Sequence, residues 1–75
     1  MITQETPAQA AYREYAAADT AWMIELRRIY GKDAGHYERY QRAGKGEPGT
    51  ELRKRYEAFR DAGDVWRAAV AAERE

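Results

Sequence analysis

The segment GKGEPG at residues 44–49 divides the chain into two long stretches with a helical pattern. Three glycines and a proline within six residues end regular secondary structure on both sides. Apolar residues recur in steps of three and four from Ala8 to Ile29, and again from Leu52 to Val70, which is the period of an amphipathic helix. Two helices joined by a short connection pack antiparallel. The sequence therefore predicts an all-α fold, an antiparallel helical hairpin that would become a four-helix bundle as a dimer.

Local signals set the limits of the predicted elements, all within a single domain of residues 1–75. Thr6 is a suitable N-cap, Pro7 occupies the first helical position and Gln9 completes a capping box. The predicted elements are a helix over about residues 7–31, a connection over about 32–48 with a short helix or irregular turn over 34–43, and a helix over about 49–73.

The size of the chain limits how it can be stabilised. With 75 residues it has a lean core. It has no cysteine and a single histidine, His36, so disulfides are excluded and a zinc site nearly so. Association with another chain is the remaining supplement. No segment has the ~20 apolar residues of a membrane span, and the N-terminus lacks a signal-peptide pattern, so we expect a soluble, cytoplasmic protein without membrane partners.

Each predicted helix has one interruption in its apolar stripe. Asp19 interrupts the first helix between Tyr15 and Trp22, and Gly63 interrupts the second. In an antiparallel register the two lie within about a turn of each other. A buried carboxylate costs several kcal/mol unless it is paired or hydrated, so we expect a structural polar site, with solvent exposure or direct ligand contact as alternatives. The candidate donors to Asp19 are Tyr12, Tyr15, Tyr56, an indole N–H and Arg60.

Small residues form a second row on each helix, away from the aromatic stripe. Alanine is the strongest helix former and is often filler, but the branched Ile24 and Val65 within these rows favour a contact surface. A second copy of the chain or a helix of another protein would cover it. The candidate helix–helix interface residues are Ala58, Ala62, Val65 and Ala69 with Ala17, Ala21 and Ile24.

The middle of the chain is basic, although the whole chain is neutral. Residues 26–55 hold nine lysines and arginines against four acids, and the flanking segments are acidic. Such a cluster contacts phosphate or an acidic protein surface, or it is a solvated tip that aids solubility. The acidic flanks weaken the argument for a long duplex. The candidate contact residues are Arg27, Arg28, Lys32, His36, Tyr37, Arg39, Tyr40, Arg42, Arg53, Lys54 and Arg55.

The usual catalytic groups are missing from the sequence. Serine, cysteine and asparagine are absent, so the common nucleophiles are unavailable. GKGEPG is no phosphate-binding loop, because it lacks the spacing of that motif and follows no strand. The carboxylates of Glu14, Glu25, Asp61 and Asp64 fit a solvent-facing helix surface with ion pairs. We expect no enzyme, no catalytic, cofactor-binding or metal-binding residues, no cofactor and no small-molecule substrate.

Two pieces of the chain, RRIYGKDAGHYERY and AGDVWRAAVAAE, resemble small helical accessory proteins encoded on bacterial phages, plasmids and integrated elements. The resemblance covers about a third of the chain and carries no functional residues with it. It implies a protein that binds host or element-encoded machinery, in some cases as an inhibitor of defence systems. The leading interpretation is a non-enzymatic interaction protein that binds and modulates a partner. A small nucleic-acid-binding accessory protein and a structural subunit are the alternatives.

Overall fold

The computed structural model describes residues 4–74, and these form helices joined by short turns, with no β-strand among them. The predicted all-α class is therefore confirmed; residues 1–3 and 75 of the predicted domain lie outside the described residues. The elements are α1 (Pro7–Tyr30), α2 (Lys32–Glu38), a 3₁₀ turn (Arg42–Lys45) and α3 (Glu51–Glu73).

Helices α1 and α3 form an antiparallel pair joined by aromatic contacts. The Tyr12 and Trp66 rings lie 5.3 Å apart between centroids at one end, and Trp22 lies 5.3 Å from Tyr56 nearer the other. The contact between Trp22 and Phe59, expected from a fold about the middle of the chain, is present at 5.0 Å. The hairpin is thus held by interleaved rings, because large aliphatic side chains are few.

Apart from Ala11 near the start of α1, the buried core occupies the half of the hairpin next to the connection. Leu26 is fully buried, and Trp22, Met23 and Leu52 surround it. Towards the open end of the hairpin, where the chain termini lie, Tyr12 is already half exposed. The hairpin is therefore better packed at its connected end than at its open end.

Polar caps begin both long helices. The Thr6 hydroxyl accepts from the Gln9 N–H at 3.2 Å, and the Gln9 side chain accepts from the Thr6 N–H at 2.8 Å, which is the predicted capping box. Thr50 caps α3 by accepting from the Arg53 N–H at 3.2 Å. Gly31 ends α1 with a φ of +90°, a conformation that favours glycine.

The connection folds back onto the hairpin as residues 32–46, which we call the strap. Helix α2 starts at Lys32, two residues before the predicted short helix, and already ends at Glu38. Gly35 packs so closely on α1 that a Cβ there would lie 3.0 Å from the Arg27 Cα. The strap is thus an ordered layer on one side of the hairpin.

A hydrogen bond from the core anchors the end of the strap. The Trp22 indole N–H donates to the Gly44 carbonyl at 2.9 Å in a buried position. Gly44 has no room for a side chain, because a Cβ would lie 1.9 Å from the Glu38 carbonyl oxygen. The glycine that looked like part of a helix break is therefore a tightly packed core position.

Candidate interaction surfaces

The basic side chains of residues 26–55 fall into two groups in the structure. One group is engaged within the molecule: Arg28 pairs with Glu25, Arg39 with Asp19, Arg53 with Glu57 and Arg55 with Glu51. The last two are the i,i+4 pairs that the spacing suggests on the first turns of α3, where they offset positive charge near a helix N-terminus. These four arginines contribute less to an external contact than their charge indicates.

Glu25 is the buried carboxylate of this region, with only 4% of its surface exposed. The prediction that Glu25 lies on a solvent-facing surface was wrong, because Arg28 and Arg55 cover its carboxylate. Arg28 Nε donates to Glu25 Oε1 at 3.0 Å, and Arg55 Nη1 lies 4.0 Å from Oε2. The Arg28 hydrogen bond holds the pKa of Glu25 below its ordinary value, and the same contact raises the pKa of Arg28.

Arg55 connects the two long helices. Its Nη1 donates to the Ala21 carbonyl of α1 at 3.0 Å, and its Nε donates to Glu51 at 2.9 Å. A guanidinium presents several donors in a fixed fork, so one side chain makes both contacts. Arg55, a candidate for phosphate or partner contact, is therefore a bridge within the fold.

Arg39 also lies inward instead of reaching into solvent from the basic tip. Its side chain is 20% exposed and pairs with Asp19. Its guanidinium carbon lies 4.9 Å from the Trp22 ring centroid and 5.2 Å from that of Phe59. These three contacts correct the expectation that Arg39 is an external contact residue. The position of Arg39 in the connection did not reveal them.

The polar site at Asp19 has a different partner from the candidates considered on α1 and α3. Asp19 pairs with Arg39 from the strap, whereas Arg60 pairs with Glu57 and Asp61. Gly63 is buried, and the space above it is filled by the Tyr15 ring, 3.0 Å from where a Cβ would stand. The two interruptions thus have different neighbours: Arg39 pairs with Asp19, whereas the Tyr15 ring and the Arg67 guanidinium pack over Gly63.

The second group of basic side chains is exposed at the connected end. Within residues 4–74, no carboxylate lies within ion-pair distance of these side chains. Tyr37 and Tyr40 are 64% and 75% exposed. His36 belongs to α2, but its side chain lies outside the described part of the structure. The exposed group consists of Arg27, Lys32, Arg42 and Lys54, together with Lys45, whose Nζ lies 5.6 Å from the Tyr56 ring centroid.

An open cleft of about 520 Å³ lies beside this group, at the end of the strap. Arg42, Lys45 and Arg53 supply its basic side chains, and Tyr40 and Glu47 also line it. The cleft therefore combines cations, one carboxylate and an exposed ring.

The residues in the two rows of small side chains differ in how far they are buried. Ala21, Ala62 and Ala69 are half-buried. Ile24 is 54% exposed on α1, and Val65 is 61% exposed on α3. The exposed members of the rows are Ala17, Ile24, Ala58 and Val65.

The comparisons with known proteins add no relative. No protein-family model matches the sequence, and no curated protein or solved structure matches the chain. Among residues 4–74, no group of three or more histidine, cysteine, aspartate or glutamate residues is placed to hold a metal ion. Within the same residues, no helix is long and apolar enough to cross a membrane.

Proposed function

We propose that this protein is a helical interaction module that acts by binding another protein and modulating it, without catalysis of its own. The observation that carries the proposal is the exposure of Ile24 and Val65 on the rows of small residues. Branched apolar side chains at 54% and 61% exposure gain free energy when a partner covers them. The alanines beside them allow a partner helix to approach closely. We name the exposed residues Ala17, Ile24, Ala58 and Val65 the outer rows.

The distribution of charge favours a second copy of the chain as one such partner. Residues 26–55 carry nine basic side chains against four acids, whereas residues 4–25 and 56–74 together carry eight acids against four arginines. A two-fold axis perpendicular to the helices would place the basic connected end of one copy against the acidic open end of the other. Such an isologous contact is the commonest form of association.

The proposal is tested by capture of partners with a tagged protein from its native host. We expect Ile24→Glu and Val65→Glu each to reduce the captured amount at least about tenfold, because a charge buried in an apolar contact costs well over 1.4 kcal/mol. Ala16→Glu on α1 and Ala71→Glu on α3 are the matched controls, since both alanines are exposed and lie off the outer rows. Mass spectrometry with and without nuclease treatment identifies what is captured.

Equal capture by all four variants would refute the outer rows as the binding surface. Loss of capture only after nuclease treatment would instead identify nucleic acid as the link. Circular dichroism of each variant guards against misfolding, and we expect their melting curves to agree with the wild type because surface substitutions usually stay within about 0.5 kcal/mol.

The exposed basic group supports a second candidate function, binding of single-stranded nucleic acid. Lys32, Arg42 and Lys54 make no ion pair among the described residues. Tyr40, which lines the same cleft as Arg42, is 75% exposed, and bases can stack on an exposed tyrosine ring. Changing these three basic residues together to alanine would reduce the salt dependence of oligonucleotide binding by a slope of about two. Fluorescence anisotropy over a salt series measures this slope.

A triple variant at the open end, Arg13, Arg67 and Arg74 to alanine, removes the same charge and serves as the control for that experiment. Arg13 pairs with Glu5 and Arg67 with Asp64, but both pairs are on the surface and contribute little to stability. Equal losses in both triple variants would mean that net charge alone is measured. Arg53 and Arg55 are left unchanged in this design, because their ion pairs belong to the fold.

A further inference from the structure

Asp19, Trp22 and Phe59 form a socket on the side of the hairpin that the strap covers. The two rings lie 5.0 Å apart between centroids, with 30° between their planes. The Arg39 guanidinium carbon lies 4.9 Å and 5.2 Å from the two centroids. One side chain of the strap therefore contacts both long helices, Trp22 on α1 and Phe59 on α3.

The carboxylate of the socket forms an ion pair with this guanidinium. Asp19 Oδ1 is buried and makes no hydrogen bond of regular geometry to any residue within 4–74. The Arg39 Nη1 group, in ion-pair contact with it, supplies the compensating charge. The Asp19 side chain as a whole is 37% exposed, so a cation that enters from solvent can reach this carboxylate when the Arg39 side chain is absent.

The chemistry of the socket selects a guanidinium over an ammonium. A guanidinium is planar, stacks on aromatic faces and is weakly hydrated, so it packs against a pair of contacting rings at low desolvation cost. An ammonium is a strongly hydrated point charge without a planar face. Two rings and one carboxylate fit an arginine side chain better than a lysine side chain.

We propose that the socket is a guanidinium-binding site. In the folded chain Arg39 is its intramolecular ligand, and this contact fixes the strap to the hairpin. In the absence of the Arg39 side chain the socket binds an arginine side chain supplied from outside. This inference is independent of the outer rows, because it uses none of their residues.

The test is a titration of the Arg39→Ala variant with N-acetyl-L-arginine amide, followed by two-dimensional NMR of the ¹⁵N-labelled protein. We expect saturable shifts of the Trp22 and Phe59 signals, with half-saturation at roughly millimolar concentration. N-acetyl-L-lysine amide should bind about tenfold more weakly, as the loss of ring stacking predicts. The wild type should show no saturable shift of these signals, since Arg39 already fills its socket.

The role of the carboxylate is tested with the double variant Asp19→Asn, Arg39→Ala. Removal of the negative charge should weaken the binding of arginine amide about tenfold. Unsaturable shifts, or equal responses to the arginine and lysine amides, would overturn the proposal.

A second measurement covers the case in which Arg39→Ala loses its fold. A ligand that binds only the folded state restores it by mass action. Arginine amide should then raise the helical circular dichroism signal and the melting temperature of the variant, whereas lysine amide should not. Failure to restore the helical signal would also overturn the proposal.

Arg42→Ala is the matched control for both measurements. Arg42 belongs to the same strap but makes no ion pair among the described residues. This variant should melt like the wild type and should not respond to arginine amide.

Discussion

Glu25 is a charged residue that is almost completely buried in this protein. Its carboxylate is 4% exposed, lies between Arg28 and Arg55, and has its pKa held down by the Arg28 hydrogen bond. A carboxyl whose pKa is lowered on folding contributes stability above its ordinary pKa, and this contribution is lost as the pH falls through the folded-state value. The acid sensitivity of the fold is therefore expected to depend on this group.

The first prediction concerns the pH dependence of stability at Glu25. Wild type should be more stable than Glu25→Gln at neutral pH, and the difference should shrink as the pH falls below the ordinary value of about 4.5. Urea unfolding midpoints between neutral and acidic pH provide the measurement. Glu14→Gln, at an exposed carboxylate, should show no such pH-dependent difference; equal behaviour of the two variants would contradict the role of Glu25.

The second prediction concerns the close backbone approach at Gly44. Gly44→Ala should destabilise the fold by about 1–3 kcal/mol, since its Cβ would stand 1.9 Å from the Glu38 carbonyl oxygen and force the strap to move. Gly31→Ala is the comparison, because nothing lies within 4 Å of its Cβ and only its positive φ is strained. Chemical unfolding measures both variants. A loss in Gly44→Ala well below about 1 kcal/mol would show that the strap moves at little cost.

At the scale of elements, one arginine joins the start of α3 to the middle of α1. The Arg55 contacts to the Ala21 carbonyl and to Glu25 cross between the helices near the connected end. The core is also concentrated there, so the polar bridge and the apolar packing support the same half of the hairpin. The open half relies on the stacked rings of Tyr15 and Trp66, 5.4 Å apart.

The third prediction isolates this bridge. Arg55→Met keeps the apolar stem but removes the donors, and it should destabilise the fold by about 1–2 kcal/mol because the Ala21 carbonyl loses a charged partner. Lys54→Met is the matched control at the neighbouring exposed position and should be nearly neutral. Thermal and urea unfolding followed by circular dichroism measure both. Identical stability of the two variants would contradict the bridging role of Arg55.

Helical periodicity predicted the hairpin because it is a local pattern, and it located α1 and α3 to within one or two residues of their observed ends. The contacts of the strap could not be predicted in this way. Arg39 reaches Asp19 across a turn and a short helix, and the Gly44 carbonyl is fixed by an indole from α1. Such contacts depend on how the connection folds back, and neither spacing nor composition encodes that direction.

At the scale of the whole molecule, charge is separated along the long axis of the hairpin. The connected end is basic and the open end is acidic, although the net charge of the chain is zero. A charge separation of this kind affects the orientation of a partner more than the affinity for it, because exposed charges contribute little affinity and are screened by salt. Most of the binding free energy would have to come from burial of the exposed apolar residues of the outer rows.

The fourth prediction concerns self-association through the outer rows. Size-exclusion chromatography with light scattering should detect a dimer at tens of micromolar at low ionic strength, and a larger monomer fraction at ~1 M salt, where the Debye length falls to about 3 Å. Val65→Glu should be monomeric in both conditions, whereas Ala71→Glu should behave like the wild type. A wild-type monomer at low salt and these concentrations would refute the dimer, but a heterologous partner would still be tested by the capture experiment.

The Trp22 indole donates a hydrogen bond to the Gly44 carbonyl, so the exchange rate of its N–H proton can be used to measure opening of the strap. That proton can exchange with deuterium only when the carbonyl moves away and water reaches the ring, so its exchange rate counts openings of the strap. Trp66 is only half-buried, and its indole donates no described hydrogen bond, so its proton provides a fast reference in the same spectrum. The ratio of the two rates would report how often this small protein uncovers its aromatic interior, by opening of the strap or by unfolding of the whole hairpin.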